Sequence, residues 1–396
     1  MNPAFVDSLK RLDSYVRAQQ FKGYDPYDAL NAPQIKKMPN KWLKLLFTQF
    51  FVYSPLNLRP FFGIQPEINL KAIGLLLSAY CRMYQSGLIE KKDFDQISSN
   101  LVRILDETKS SGYSGYCWGF PFDWQDLVRY APRNTPTAVI SSYIGQGFLD
   151  LYDITKEDRY LKIAESITQF ILKDLHISWF EHGLCFSYTP LDSHVIFNAN
   201  CLGAAFLSRV YSITQSKMLF EYSRKAFDYT ISCQRTDGSW AYRLNPETGE
   251  ERNQIDFHQG FIIDSLCDFM RYTGLNDEEY RRSLEKAVLF YKINQFQSDG
   301  RAKWRYPKKY PVDIHHLAQG IVSFSKVFAF TNDREYLRFA STIAQWSIKN
   351  MQDTKGFFYY QRWPLFTNKI NYMRWAQAWM MFSLSDILYQ PTFGDI

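Results

Sequence analysis

The stretch ISCQRTDGSWAYR, residues 231 to 243, has relatives in the same chain: FQSDGRAKWRY at 296 to 306, NMQDTKGFFYYQRW at 350 to 363 and, more loosely, WFEHGLCFSY at 179 to 188. Each follows a charged run with apolar residues three and four apart, the period of an amphipathic helix, at 157–175, 217–234, 277–296 and 333–351. After these turns come runs of a second kind, poor in charge and rich in small residues, at 194–211, 256–272, 313–330 and 373–389. Segments 68–84 and 137–152 belong to that second kind, and 3–20 and 92–110 complete the charged set. A helix apolar nearly all round must be buried, and a repeat that cannot cover its own apolar face is covered by its neighbours. The pattern therefore predicts six buried inner helices alternating with six outer ones, an all-α (α/α)6 toroid. Each outer helix has to stop, reverse and feed the next inner one. The turn glycine is expected to end the helix by accepting positive φ, and the following Trp or Tyr to fold back over the helix end.

No linker rich in Pro, Gly or Ser interrupts the chain, so one domain is expected over residues 1–396. WLKLLFTQFFVYSPLNLRPFFG (42 to 63) fits the repeat poorly, and 36–66 is expected to be an insertion capping the ring; a dimer surface or membrane contact is the alternative. Aromatic residues make 17% of the chain, more than an aliphatic core requires, so some rings are expected to line a site. The net charge of +6 comes without a Lys/Arg block, which argues against a nucleic-acid partner. Six scattered cysteines with no Cys-x-x-Cys pair give no zinc or redox motif, and neither metal nor cofactor is expected. The first twenty residues carry Asp and Arg where a secretion signal would be apolar, and no apolar run approaches the roughly 20 residues of a membrane span. A cytoplasmic protein is expected.

Counted back from the inner-helix ends, Asn198, His258, His315 and Arg374 take equivalent places near the N-termini of four successive inner helices. Side chains at that level converge on one mouth of the ring, where helix dipoles favour anionic or oxygen-rich ligands. Asp256 and Asp313, each two residues before a histidine, have the form of N-caps. Loops feeding the inner helices add Tyr24, Asp25 and Asp28 in GYDPYDALN, Asp123 and Trp124 in GYCWGFPFDWQ, and Arg305 in WRYPKK; Gln259, His316 and Trp375 stand beside the rung. Rings alternating with carboxylates, amides and arginines are what sugar recognition needs. The candidate sugar-holding residues are therefore Tyr24, Asp25, Trp124, Asn198, Gln259, His316, Arg305, Arg374 and Trp375. Asp28, Asp123 and Asp256 are candidate acids and bases for glycoside hydrolysis. His258 and His315 are candidate proton carriers for a lyase or epimerase, because imidazole titrates near neutrality. Two histidines on different helices define no metal-ligand spacing.

With its repeats, GYDPYDALN, WGFPFDWQ and DFHQGFI, the chain resembles the six-hairpin glycosidase-like superfamily, and more narrowly toroid proteins encoded in bacterial exopolysaccharide and lipopolysaccharide biosynthesis clusters. The mild positive charge favours an anionic small substrate or glycan over DNA, and the resemblance implies an oligo- or polysaccharide substrate acted on by a hydrolase, lyase or epimerase in that order. It also implies a place in envelope polysaccharide production, with peripheral association with membrane polysaccharide machinery. The alternatives are an epimerase similar to N-acylglucosamine 2-epimerases and a non-catalytic glycan-binding component of a synthesis complex.

Overall fold

The protein is described by a computed structural model covering residues 2–125 and 130–390. The chain opens with α1 (Pro3–Ala18), α2 (Pro33–Lys36) and α3 (Lys41–Tyr53). Pairs of long helices follow: α4 (Leu70–Gln85) with α5 (Lys91–Thr108), α6 (Ala138–Thr155) with α7 (Asp158–Lys173), and α8 (Phe197–Thr214) with α9 (Lys217–Ser232). Next come α10 (His258–Thr273) with α11 (Glu278–Gln295) and α12 (Ile314–Thr331) with α13 (Arg334–Met351). The last helix, α14 (Trp379–Tyr389), continues a π-helical turn at Met373–Ala378.

The even-numbered helices from α4 to α14 form the inner ring, each packed on the one before and the one after, and α14 closes onto α4. Each pair supplies its own outer helix, while α1 covers α14 and touches α13. The expected toroid is the fold. Helix composition accounts for the two layers. Outer α5 buries only the stripe Phe94, Ile97, Ser98, Leu101, Ile104 and Leu105, whereas inner α12 is buried without a break from Ile314 to Ser325.

The repeated turn does part of what its sequence suggests. Trp118 Nε1 donates to the Leu105 carbonyl and Trp240 Nε1 to that of Thr230, both at 2.8 Å, so each indole covers an outer-helix end as expected. The glycines have another task. Outer helices α9 and α13 end at Cys233 and Gln352 with negative φ, and the glycines come later, with φ of +92° at Gly238 and +96° at Gly356. A Cβ at Gly238 would lie 2.4 Å from the Lys286 carbonyl oxygen of α11, and one at Gly356 would lie 2.3 Å from that of Arg11 in α1. The glycine thus lets each turn seat its backbone on the next outer helix. At Gly356 the next helix is the first one. Gln352 completes that closure: its Oε1 accepts from Ser8 Oγ (2.8 Å) and Arg11 (3.1 Å), and its Nε2 donates to the Ser8 carbonyl (3.0 Å).

The segment containing α2 and α3 holds its own small core of Ala29, Leu30, Ala32, Ile35, Phe51 and Ile64. Helix α3 packs on the turn Asp28–Asn31 and on the short strand Trp124–Gln125, both loops of the inner-helix N-terminal mouth. Among the described residues no helix is long and apolar enough to cross a membrane.

Replacing Gly356 by Ala introduces both a strained φ and a backbone clash, and is expected to cost about 2–4 kcal/mol of unfolding free energy. Gly249 also has positive φ (+70°) but meets nothing within 4 Å, so Gly249→Ala should cost about 1 kcal/mol. Urea titrations of both variants measure the difference, which isolates the closure contact.

Candidate functional site

At the N-terminal mouth the first inner helix contributes a residue outside the expected set. Lys71, in the first turn of α4, is buried, with its Nζ 4.7 Å from the ring centre of Tyr143, 5.1 Å from Trp379 and 5.2 Å from Phe261. Burial, reinforced by Arg374, holds its amine well below the usual lysine range, and the three ring faces offset part of that cost. The signal was available: Lys71 is the single charge in the run INLKAIGLLLSAYC.

His315, Arg374 and His258 gather above this cage. His315 is shut among Phe257 (4.3 Å between ring centres), Trp375 (4.6 Å) and Trp379 (4.7 Å), and neither ring nitrogen has a hydrogen-bond partner. Burial, with Lys71 and Arg374 nearby, pushes its imidazole well below its usual range, so it is neutral. Arg374 makes a two-point pair with Asp25, Nε at 2.5 Å and Nη2 at 2.8 Å, and Asn69 donates to the same carboxylate at 3.2 Å.

His258 differs in keeping an open face. Its side chain is 17% exposed, and its Nδ1 lies 2.5 Å from Asp256 Oδ1. Burial opposes the charge of Asp256, but His258 and Gln254 outweigh it and bring the carboxyl down to about 2. An ionised carboxylate only accepts, so Nδ1 carries the proton and Nε2 is left for a ligand. Arg305 stands 3.8 Å from the other Asp256 oxygen. The space between the imidazoles is filled: Phe257 stacks on His258 at 4.2 Å and lies tilted against His315 at 4.3 Å.

The rings of the feeding loops form one continuous surface. Tyr27 stacks on Trp124 at 5.9 Å and meets Trp375 edge-on at 5.6 Å; Tyr24 lies half-buried beside them, its carbonyl accepting from Met373 N–H at 3.3 Å. Trp375 Nε1 donates to Asp313 at 2.9 Å, and Asp313 also caps α12 through the His315 amide at 2.9 Å. Burial raises the Asp313 carboxyl to about 6.

Other candidates are engaged elsewhere. Asp28 accepts from fully buried Arg59 at 2.6 Å and from the Asp25 amide at 2.9 Å, while Arg59 also donates to Tyr372 at 2.8 Å; burial raises Asp28 to about 6. Asp123 is bound by Tyr130 (2.7 Å), the Arg133 amide (2.8 Å) and Lys36 (2.9 Å), which together overcome burial and lower its carboxyl. It lines a groove of about 460 Å³ with Lys36, Glu67 and Arg133. Gln259 grips the Trp240 backbone at both ends, 2.9 Å each way, as Gln377 grips Phe358. This is a fastening of the repeated turn to the inner helix. His316 is buried against Phe296 and Tyr291 and lowered by that burial to about 4. Asn198 is buried on α8 with Oδ1 unpartnered. Among the described residues no three His, Cys, Asp or Glu side chains cluster as metal ligands would.

Tyr143, Phe261 and Trp379 touch one another, with Phe261 and Trp379 stacked at 5.5 Å. They form a layer across the ring. Beyond it, at the C-terminal mouth, lies a cavity of about 600 Å³ lined by all six inner helices. Its charges are mostly paired, as in Arg209 with Asp150 (2.7 Å) and Arg82 with Asp386 (3.1 Å). Asp264 on its wall accepts from Gln319 at 2.7 Å, and its Oδ1 is buried with no partner.

No family model and no curated protein matches the chain. Among solved structures it is similar to cellobiose 2-epimerase from Bacillus thermoamylovorans, at TM-score 0.63 and 14% identity over 82% of this chain and 90% of that one. A glycoside hydrolase family 76 α-mannanase from Bacteroides thetaiotaomicron gives 0.62 and 15%, over 81% and 87%. An α-1,6-mannanase of Salegentibacter in complex with α-1,6-mannotetrose, an inactive variant altered at two consecutive aspartates, gives 0.59 and 13%, over 82% and 90%. These likenesses establish the fold shared with the six-hairpin glycosidases. No two consecutive aspartates occur in the present chain.

Burial raises the Asp264 carboxyl to about 7, against about 4 in an unfolded chain. The folded state holds that proton more tightly, so the cost of Asp264 is absent below about pH 4 and complete above about pH 7. Asp264→Asn should therefore unfold like the parent at pH 4 and be more stable at pH 8, by on the order of 4 kcal/mol. Denaturation at the two pH values measures the gap.

Proposed function

We propose that the protein is a carbohydrate-active enzyme that moves a proton at the carbon beside a sugar carbonyl, in the manner of an epimerase or aldose–ketose isomerase. The observation that carries this reading is the His258–Asp256 pair at 2.5 Å with an open imidazole face at the aromatic mouth. Asp256 fixes the tautomer and orientation, and His258 Nε2 removes the proton from the open-chain sugar to give an enediolate. Returned to the neighbouring carbon, with the hydroxyl proton passing to the other oxygen, it gives the ketose; returned to the same carbon after the enediolate has turned its opposite face to the imidazole, it gives the epimer. Phe257 between the imidazoles argues for a single base over His258 and His315 on opposite faces. Hydrolysis is less well supported, because both oxygens of Asp28, Asp123 and Asp256 already accept hydrogen bonds.

The positive charge of this mouth is balanced from within: Arg374 by Asp25, Arg59 by Asp28, Lys36 by Asp123. A neutral sugar stacked on the half-buried rings of Trp124 and Tyr27, with buried Trp375 behind them, fits this better than an anionic one. A role in exopolysaccharide or lipopolysaccharide production rests on the GYDPYDALN and WGFPFDWQ loops alone, and we retain it as the setting. We further propose that residues 1–396 act as one domain with 36–66 as its cap. The closure of His315 and the engagement of the carboxylates favour a second reading, a glycan-binding component without chemistry.

The test incubates the protein with mannose, N-acetylmannosamine, mannobiose and cellobiose in heavy water and follows the sugars by NMR. Deuterium beside the carbonyl, with a new epimer or ketose, is expected. His258→Gln should lower the rate about 10²–10⁴-fold with stability within about 2 kcal/mol of the parent. Sugars that bind by calorimetry yet take up no deuterium would replace the enzyme by the binding protein.

A further inference from the structure

Helix α3 inverts the usual pattern of a surface helix. Its outward face carries Trp42, Leu43, Leu46, Phe50 and Tyr53, all exposed, with Leu46 at 63%. At 3.6 residues per turn these five fall within a stripe of about 100°, opposite the buried residues Thr48, Phe51 and Val52. The stripe is continued by neighbouring chain. Leu56 and Phe61, the latter 85% exposed, follow the helix. The hairpin Gln361–Asn368 is tied to its end by Asn368 Nδ2 donating to the Ser54 carbonyl at 2.9 Å, and it presents Leu365, 97% exposed, and Phe366. Scattered apolar residues on a surface need no explanation, but a row of large ones on one helix face does.

The charge around the stripe is one-sided. From Pro33 to Gly63 the sequence has no Asp or Glu and five basic residues. Arg59 is buried against Asp28, and Lys36 is paired with Asp123. Lys37, Lys41 and Lys44 have no ion pair among the described residues; Lys41 lies over the Trp42 ring at 5.4 Å and Lys44 over Tyr130 at 5.7 Å. A second copy of the chain would bring the same three ammonium groups against themselves, since a twofold interface apposes like with like. A protein partner covering the stripe would have to be acidic and apolar at once. A bilayer with anionic headgroups supplies both chemistries in one surface: acyl chains for Trp42, Leu46, Phe50 and Phe61, and phosphates for the lysines.

We infer that α3 and the turn after it are a membrane-docking face, laid flat on the surface of an anionic bilayer without crossing it. The inference stands apart from the reading of the sugar site. It does have a geometric consequence for it, because α3 packs on the Asp28–Asn31 turn and on Trp124–Gln125. Docking would hold the N-terminal mouth beside the lipid headgroups.

The test is sedimentation of the full chain with phosphatidylcholine vesicles made with and without phosphatidylglycerol. Binding to the anionic vesicles is expected, at least tenfold stronger than to phosphatidylcholine alone, and weakening as salt is added. L46E with F50E should lower it at least tenfold; K41E with K44E should remove the preference for anionic lipid. All four side chains are solvent-facing or only partly buried, and thermal melts of each variant check that the fold is retained. Absence of the chain from the anionic vesicle pellet would overturn the inference. So would a dimer, by light scattering, that L46E with F50E dissociates.

Discussion

The contact between Gly356 and the Arg11 backbone, with Gln352 fastened to Ser8 beside it, joins the last repeat to the first. Everything inside the ring depends on this closure. Inner helices are apolar nearly all round, so an open spiral would leave α14 without an outer cover and α4 without its inner neighbour. The same device recurs at Gly115, Gly183, Gly238 and Gly300, each of which rests on the backbone of the next outer helix, and the facing backbone has nowhere to move; only the step after α1 differs, where Gly23 meets Met373. Closure therefore links sequence positions at opposite ends of the chain, and residues from both termini meet at the site.

Once the ring is closed, its axis must be filled, and the filling decides where chemistry can occur. Tyr143, Phe261 and Trp379 bar the way between the two mouths, with Lys71 seated on one side and the Asp264 cavity on the other. The mouths are unequal. On the C-terminal side an inner helix runs into its outer partner through a short connection, with left-handed caps such as Lys156, Gln215 and Asn332. On the N-terminal side the connections are long enough to fold into hairpins and deliver Tyr27, Trp124 and Asp256 over the axis.

Electrostatics at the N-terminal mouth is a matter of cancellation. Asp25 with Arg374 and Asp28 with Arg59 are buried ion pairs whose formation in water-poor surroundings is costly unless the remaining groups are bonded. They are: Asn69 and the Asp25 amide take the spare carboxylate oxygens, and Tyr372 and two backbone carbonyls take the spare guanidinium hydrogens. Such pairs fix the GYDPYDALN loop in place and leave little net charge for a ligand. What remains available is aromatic surface and one oriented imidazole.

The helices and their order were legible in the sequence because burial periodicity is local: each of the twelve runs marks its own exposed stripe or lack of one. The N-cap role of Asp313, and the indole covering of helix ends by Trp118 and Trp240, were legible for the same reason, whereas the N-cap of α10 is Phe257 and Asp256, one residue earlier, accepts from the His258 amide and pairs with its ring. Residue type could not say which way a polar side chain on an inner helix turns. Gln259 turns outward to hold Trp240, His316 outward into Phe296 and Tyr291, while their neighbours His258 and His315 turn to the axis. A rotation of about 100° per residue separates adjacent positions on a helix, and only packing of the whole ring sets its zero. Arg59 as partner of Asp28, Phe257 between the imidazoles and the aromatic cage of Lys71 are likewise meetings of segments far apart in the chain. The sequence alone determined a ring of helical hairpins with an aromatic and polar mouth; the tertiary structure decided which of its polar groups are fasteners and which are open, because that depends on contacts no local pattern encodes.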